Sequence, residues 1–230
     1  MNHAVIGTVL QLVLAGTALG QKQLLCDTSG PHPLYSKRAS TIEKGELRSP
    51  DGQKILKVTR IPDISDRTEG QLHFIVKARS KQYSADLAGF AAEVTWSPDS
   101  SAFAVTQTEG GGGIGYRVYI FYIEPNELRK LVVSDLIVRA FGTPVKCEVP
   151  VPPNTGFVAW LGGSNRVLIA AEVVPVSICE CSGMFRVYEV RLSDLRIVKS
   201  FDQSHAKKKF ADVLGCELIN AKECPPASSH

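Results

Sequence analysis

The chain has 230 residues, of which 44% are hydrophobic and 21% are charged, a composition typical of a globular protein with a sizeable core. Its formal net charge at pH 7 is only +3. So small an excess lacks the strongly basic footprint of a nucleic-acid-binding domain, and we expect no nucleic acid partner.

The N-terminus predicts export. Residues 4–20 are apolar and uncharged, and the small residues Ala18 and Gly20 occupy the positions that a signal peptidase requires. We therefore expect a signal peptide at 1–20, a secreted or periplasmic protein, and no membrane span after cleavage. An uncleaved membrane anchor is the alternative, because only the α-amino group and His3 supply positive charge ahead of the apolar run.

Three stretches of the chain repeat a turn followed by an apolar strand. They are "SPDGQKILKV" from Ser49, "SPDSSAFAVT" from Ser97 and "LGGSNRVLIA" from Leu161. Proline, aspartate, glycine and serine favour the turn, and the β-branched run after it favours a strand. Asp51 and Asp99 hold the same place in the first two turns, so we predict a structural role for both.

A tryptophan precedes the second and third turns, at Trp96 in "EVTWSPD" and Trp160 in "FVAWLGG". Both lead-in segments alternate apolar with polar or small residues, as a half-buried strand does. We expect the two indole rings to anchor the core between repeats, because each buries a large area on a rigid element. Stacking of these rings against a ligand is the alternative.

Two more strand-like segments complete each repeat, so that the unit is a meander of four antiparallel strands. The last two units share "RVY" in the third strand and "LR" in the fourth. The third strands are predicted at 71–79, 116–124 and 185–193, and the fourth at 82–87, 128–133 and 195–200.

This unit resembles the blades of WD-repeat-like β-propellers, which often carry W-S-P-D-G before an apolar strand. "WSPDS" at 96–100 is the closest match, whereas the third turn has lost its Pro-Asp. The resemblance implies an all-β, propeller-like fold of antiparallel four-stranded meander blades in a secreted bacterial-type protein, with a disulfide-rich C-terminal tail. We place an N-terminal segment at 21–46, the repeats at 47–205 in units of about 47–90, 91–143 and 156–205, and the cysteine-containing tail at 206–230.

Three recognisable blades are fewer than the four to eight with which propellers typically close. The chain is therefore expected to be a partial or small propeller, or a protomer that completes the sheet array as a homo-oligomer. Residues before 47 and after 201 are the candidates for a degenerate fourth blade. We also expect the tail to cover exposed strand edges, with one short helix at 207–214.

The cysteine pattern predicts disulfides. An even number of cysteines follows the predicted signal peptide, and four of the six lie in the last quarter of the chain. The alternative is a four-sulfur metal site, but its spacing departs from C-x2-C knuckles and an oxidising compartment disfavours free thiolates. We therefore expect no metal and no cofactor. The disulfide candidates are Cys26, Cys147, Cys179, Cys181, Cys216 and Cys224.

Long loops join the second strand to the third in each unit, at 60–70, 108–115 and 172–183. In a propeller such loops gather on one rim, and loops on a rigid scaffold commonly carry binding residues. We predict a recognition surface for a protein or carbohydrate ligand there; variable insertions without function are the alternative. Its candidate binding residues are Asp63, Asp66, Arg67, Glu69, Glu109 and Glu180.

The glycine run "GGGGIG" at 110–115 does not predict a nucleotide site. A nucleotide loop requires a lysine, a serine or threonine, and a following helix, whereas "YRVYIFYI" is a strand pattern. The G-x-S-x-G nucleophile elbow is absent, and no catalytic residue is assigned. The sequence thus favours a binding or interaction module of unknown ligand. The alternative is an extracytoplasmic hydrolase, for example a carbohydrate-active one, that uses the same rim.

Overall fold

In a computed structural model, the described residues form three antiparallel β-sheets and three short helices. They are residues 33–41, 45–61, 70–89, 91–108, 115–142, 151–174 and 180–224. The predicted signal peptide and most of the three long loops lie outside these ranges. No helix within the described ranges has both the length and the apolar character needed to cross a bilayer.

The first sheet is a four-stranded meander in which every strand pairs with the next along the chain. Alternation along its third strand places Leu72, Phe74 and Val76 on one buried face. The opposite face is more exposed and includes the cross-strand pair His73 and Asp86. Its strands are β2 (Glu46–Arg48), β3 (Lys54–Ile61), β4 (Gln71–Ala78) and β5 (Lys81–Ala88).

The second sheet repeats this meander and gains a fifth strand from the N-terminal segment. That extra strand pairs Ser40 with Val94 and Thr41 with Glu93. The described residues before 45 therefore extend the second sheet and form no blade of their own. The sheet consists of β1 (Ser40–Thr41), β6 (Ala91–Trp96), β7 (Ala102–Thr108), β8 (Tyr116–Ile123) and β9 (Leu128–Val132), in the order β1-β6-β7-β8-β9.

The third sheet is again a meander of four strands in chain order. Its second strand is almost completely buried, as the continuous apolar run "VLIAA" would require. The strands are β10 (Asn154–Trp160), β11 (Arg166–Glu172), β12 (Phe185–Arg191) and β13 (Arg196–Phe201).

The second sheet lies between the other two, which explains why every residue of β7 is buried. On one side, the stacked rings of Phe74, Phe103 and Phe121 join it to the first sheet, with Phe103 and Phe121 centroids 5.0 Å apart. On the other side, Ile120 and Ile169 belong to a core shared with the third sheet. The sheets therefore pack face to face in sequence order.

The three helices differ from the sequence-based expectation of a single helix at 207–214, and neither the first nor the third of them was predicted. Helix α1 (Ser134–Phe141) was not predicted, and it places Ile137 and Phe141 in the core between the second and third sheets. Helix α2 (Gln203–Phe210) begins before the predicted start at residue 207, because the Asp202 side chain accepts a 2.9 Å hydrogen bond from the His205 backbone N–H as its N-cap.

The C-terminal tail packs on one face of the third sheet. Helix α2 and the short helix α3 (Cys216–Asn220) contribute Phe210 and Leu218 to a core that also contains Leu168 and Val187. The tail therefore buries apolar surface that an isolated third sheet would expose to water.

A disulfide bond ties this tail to the loop after β11. Cys181 and Cys224 are bonded, with Cα atoms 5.0 Å apart, and Cys216 is also disulfide-bonded. Cys26, Cys147 and Cys179 lie outside the described residues. We expect iodoacetamide to leave Cys181, Cys216 and Cys224 unlabelled in the unreduced, denatured protein, as peptide mass spectrometry can show. Labelling of these thiols without reductant would contradict the assignment.

Candidate functional site

The first strands of the three sheets, β2, β6 and β10, border one cavity of about 600 Å³. Its walls combine two indole rings with hydroxyl groups and three charged side chains, a mixture typical of small-molecule sites. The lining residues are Ser36, Arg38, Ser40, Glu46, Leu47, Arg48, Pro50, Val94, Thr95, Trp96, Pro98, Val158, Ala159 and Trp160.

The two tryptophans occupy equivalent positions in their sheets. Trp96 ends β6 and donates its indole N–H to the Leu47 carbonyl of the first sheet at 3.3 Å. Trp160 ends β10 and donates to the Thr95 carbonyl of the second sheet at the same distance. Each ring thus links its sheet to the preceding one. Because both rings are also half-buried at the cavity wall, they are placed to touch a ligand.

The first two repeat turns have the same hydrogen-bonding geometry. The Ser49 hydroxyl donates to Asp51 Oδ1 at 2.5 Å, and the Ser97 hydroxyl donates to Asp99 Oδ1 at 2.6 Å. In each turn the serine hydroxyl also accepts the backbone N–H five residues later, at 2.9 Å. Serine and aspartate therefore close these turns with their side chains, in the manner common to Asx and ST turns.

The three turns are also linked to one another. The backbone N–H of Asp51 donates to the Ser100 hydroxyl at 3.0 Å, and the Ser164 side chain hydrogen-bonds Asp99. Partial burial raises the pKa of Asp99, but the bonds from Ser97, Ser101 and Ser164 outweigh it and lower the pKa to about 2. A carboxylate that stays ionised keeps these hydrogen bonds at neutral pH.

A third equivalent position at the cavity carries a charge. Arg48 stands immediately before the first turn, at the place that Trp96 and Trp160 hold before the second and third turns. Arg48 is exposed, and no described carboxylate lies within ion-pair distance of it. By contrast, the guanidinium of Arg38 forms an ion pair with Asp212, in which Nη2 and Oδ2 are 3.7 Å apart. The guanidinium of Arg48 is therefore available for an anionic group in the cavity.

One wall of the cavity is the N-terminal strap, residues 33–41. The Glu93 carboxylate accepts hydrogen bonds from the backbone N–H groups of Leu34 and Tyr35, the second at 3.3 Å. The Tyr35 hydroxyl donates to Glu172 at 3.1 Å, and the Tyr35 carbonyl accepts the Gly215 N–H at 2.9 Å. The strap is thus held by the second sheet, the third sheet and the C-terminal tail together.

The carboxyl groups that hold the strap have raised pKa values. Burial raises the pKa of Glu93 to about 7, although the strap N–H groups oppose this shift. Burial and the nearby charge of Glu217 raise the pKa of Glu172 well above its usual range. Burial and the surrounding carboxylates also raise the pKa of Tyr116, whose ring packs on Tyr35, to about 12. Burial therefore shifts both carboxyl groups toward their uncharged forms.

Raised carboxyl pKa values are frequent at catalytic sites, but this cluster is enclosed. Glu172 has no exposed surface and Glu93 has 8%. Neither side chain lines the cavity. These groups are therefore placed to hold the strap and have no access to a substrate in that cavity. No cluster of histidine, cysteine or carboxylate side chains suited to a metal ion occurs in the described ranges.

The predicted recognition loops are mostly outside the described residues. This applies to Asp63, Asp66, Arg67, Glu69 and Glu109. The structure places Glu180 in an exposed turn next to the disulfide-bonded Cys181.

The charged residues of the cavity were not predicted from the sequence, although an alignment of the first two repeats points to two of them. Aligning "ELRSPD" with "VTWSPD" puts Arg48 at the position of Trp96 and Glu46 at the position of Val94. A charged residue at the place of a core tryptophan indicates that this place borders solvent in the first unit. Arg38 carries no such signal, because the strap lies outside the repeats.

Comparison with known proteins gives little further guidance. No model of a protein family matches the chain, and no curated protein matches it. Among solved structures, the acylaminoacyl peptidase of Pyrococcus horikoshii is similar with a TM-score of 0.40 at 9% identity. The match covers 65% of this chain and 23% of that one, so this chain spans less than a quarter of its length. A likeness of this size supports no conclusion about activity.

Proposed function

We propose that the protein is an exported binding module built from three propeller-type blades, and that a small ligand binds in the cavity between their first strands. One observation carries this proposal. Equivalent positions of the three repeats, Arg48, Trp96 and Trp160, meet at a single cavity of about 600 Å³. Convergence of equivalent residues on a concave, mixed surface is how repeat architectures form a ligand site.

The lining indicates the class of ligand. Indole rings pack against the flat faces of sugar or aromatic rings, and the partly exposed hydroxyls of Ser40 and Thr95 offer partners for ligand hydroxyl groups. Arg48 adds a planar fork of donors that matches a carboxylate. We therefore propose an acidic sugar, such as a uronic acid or its oligomers, as the ligand.

The predicted recognition loops follow the far ends of the second strands, after Ile61, Thr108 and Glu172, whereas the cavity borders the turns before those strands. In a propeller, loops of the kind that carry Asp63 and Glu109 lie on one rim of the blades. A sugar oligomer would have to extend beyond the cavity to reach these loops. Contacts of these loops with such a ligand remain a prediction.

A hydrolase is the weaker proposal. Glycoside hydrolysis requires two carboxyl groups that flank the scissile bond. The carboxyl pair with raised pKa values, Glu93 and Glu172, is enclosed by the strap and does not line the cavity. The carboxyl group that does line it is Glu46, on the short strand β2.

Tryptophan fluorescence provides a direct test, because the only two tryptophans of the chain, Trp96 and Trp160, both border the cavity. We expect galacturonate oligomers to quench or shift this emission in a saturable manner. Arg48→Gln should weaken the affinity by at least about tenfold, the loss of one charge-assisted hydrogen bond.

The matched control for this test is Arg139→Gln, which removes the same charge from an exposed position on α1. It should leave the affinity unchanged. Emission that does not respond to the acidic oligomers, or an equal response in the Arg48→Gln variant, would overturn the assignment of the ligand. Neutral oligomers of the same length show whether the carboxylate is recognised.

A further inference from the structure

A second concave surface lies at the junction of the last strand and the tail. Strand β13 ends at Phe201, and helix α2 begins at Gln203 after the single residue Asp202. The strand and the helix enclose a cavity of about 720 Å³, which we call the tail groove. Its lining residues are Lys199, Ser200, Phe201, Asp202, His205, Lys208 and Lys209.

Two ammonium groups converge on one aromatic ring in this groove. The Lys199 Nζ lies 5.1 Å from the centroid of the Phe201 ring, and the Lys209 Nζ lies 4.7 Å from the same centroid. The Lys209 Nζ is also 5.1 Å from the Phe210 ring. Cation–π contacts of this kind hold the two charges in place, and like charges so close together favour an anion between or above them.

The described protein balances the positive charge of the groove only in part. No described carboxylate lies within ion-pair distance of Lys199, Lys208 or Lys209. The one carboxylate in the groove belongs to Asp202. It accepts two hydrogen bonds from His205 at the N-terminus of α2, one from the backbone N–H and one from the ring Nδ1. Three exposed ammonium groups therefore face solvent together.

The shape and composition of the groove favour one kind of polyanion. Its aromatic rings, Phe201 and Phe210, are largely buried, so they offer no free faces on which bases of a single-stranded nucleic acid could stack. A concave groove also fits a linear chain better than a flat lipid surface. Lysine ammonium groups rotate freely and act as point charges, which suits sulfate or carboxylate groups along a flexible chain.

We propose that the tail groove binds an anionic polysaccharide, whose sulfate or carboxylate groups pair with Lys199, Lys208 and Lys209. This site is separate from the cavity that contains Trp96 and Trp160, and the proposal does not depend on the ligand of that cavity. Binding would release counterions from the polysaccharide and would therefore weaken steeply as the salt concentration rises.

The test uses the full exported chain and heparin as the probe. We expect fluorescein-labelled heparin to bind with a log Kd that depends linearly on log salt. The triple variant Lys199→Gln, Lys208→Gln, Lys209→Gln should bind at least about tenfold more weakly at physiological ionic strength, and its salt slope should be smaller by about two to three.

A triple variant of the first sheet provides the matched control. Lys57→Gln, Lys77→Gln, Lys81→Gln removes the same charge from exposed positions on β3, β4 and β5. It should bind heparin as the unchanged protein does. Circular dichroism melting of both variants shows whether either substitution set has disturbed the fold.

Three outcomes would overturn the proposal. The first is an equal loss of heparin binding in both triple variants, which would mean general charge attraction. The second is heparin binding no stronger than that of neutral dextran. The third is tighter binding, lost in the tail-groove variant, to oligothymidylate or to vesicles of equimolar phosphatidylcholine and phosphatidylserine, which would replace the polysaccharide by a nucleic acid or a membrane.

Discussion

Replacing Gly156 with alanine should lower the free energy of unfolding by about 3 kcal/mol, the upper part of the range for overpacking a protein core. A Cβ atom at this position would lie 1.9 Å from Cγ and 2.1 Å from Cδ1 of Tyr35. The Tyr35 ring has no room to retreat, because it is 1% exposed and its hydroxyl is bonded to Glu172. Urea unfolding followed by circular dichroism measures the change.

A double-mutant cycle makes this prediction specific to the strap. Tyr35→Ala removes the ring with which the new methyl group collides, so adding Gly156→Ala to that variant should cost much less than it costs alone. A cost that is equal in both backgrounds would mean that the clash with Tyr35 is not its source. A Gly156→Ala protein as stable as the original would contradict the close packing of the strap on β10.

The meander was predictable because its signals are local. The turns at Ser49 and Ser97 depend on side chains that bond the backbone no more than five positions further along the chain, and the strand after each turn follows from β-branched residues. Helix α1 was not predicted from the sequence, because its apolar face is short. Ile137 and Phe141 become a helical stripe only where the core between two sheets receives them.

The strap was not predictable for a different physical reason. Glu93 alternates with apolar residues along β6, which is the pattern of a strand with one face in water. The strap covers that face and buries the carboxyl group, and this contact joins residues distant in sequence. Gly156 carries no local signal either, since only the ring of Tyr35 explains the absence of a side chain there.

The candidate site was predictable in part. The sequence singled out Trp96 and Trp160 from their repeated position, with a ligand platform as the alternative to a core role. It could not show that a cavity lies between the first strands, because the separation of packed sheets depends on contacts across the whole core. The position of Arg48 was visible in the repeat alignment, but its meaning depends on that cavity.

Stability should decrease as the pH rises from about 4.5 to 7. The unfolded chain releases the proton of Glu93 near the ordinary pKa of 4.5, whereas the folded protein retains it up to a pKa of about 7. The folded state therefore binds more protons than the unfolded state in this interval, and its free energy of unfolding falls as the pH rises. This difference between the folded and unfolded pKa of Glu93 lowers the free energy of unfolding by about 2 kcal/mol between pH 5 and pH 7.5. The raised pKa of Glu172 acts in the same direction.

The variant Glu93→Gln isolates this contribution. Glutamine keeps one carbonyl oxygen, which accepts one of the two strap N–H bonds, and it has no proton to lose, so about 2 kcal/mol of the pH dependence should disappear. The control Glu127→Gln changes an exposed carboxyl group and should retain the full dependence. Asp99, with its pKa of about 2, affects stability only at more acidic pH and does not obscure the interval.

Urea unfolding at pH 5, 6, 7 and 7.5 measures both variants beside the unchanged protein. If Glu93→Gln keeps the pH dependence of the unchanged protein, then Glu93 is not the group that titrates in this interval. If about 2 kcal/mol of the dependence disappears, Glu93 is the group whose protonated form the folded protein favours. Because the strap residues Ser36, Arg38 and Ser40 form one wall of the cavity, that wall would then be held less firmly as the pH rises.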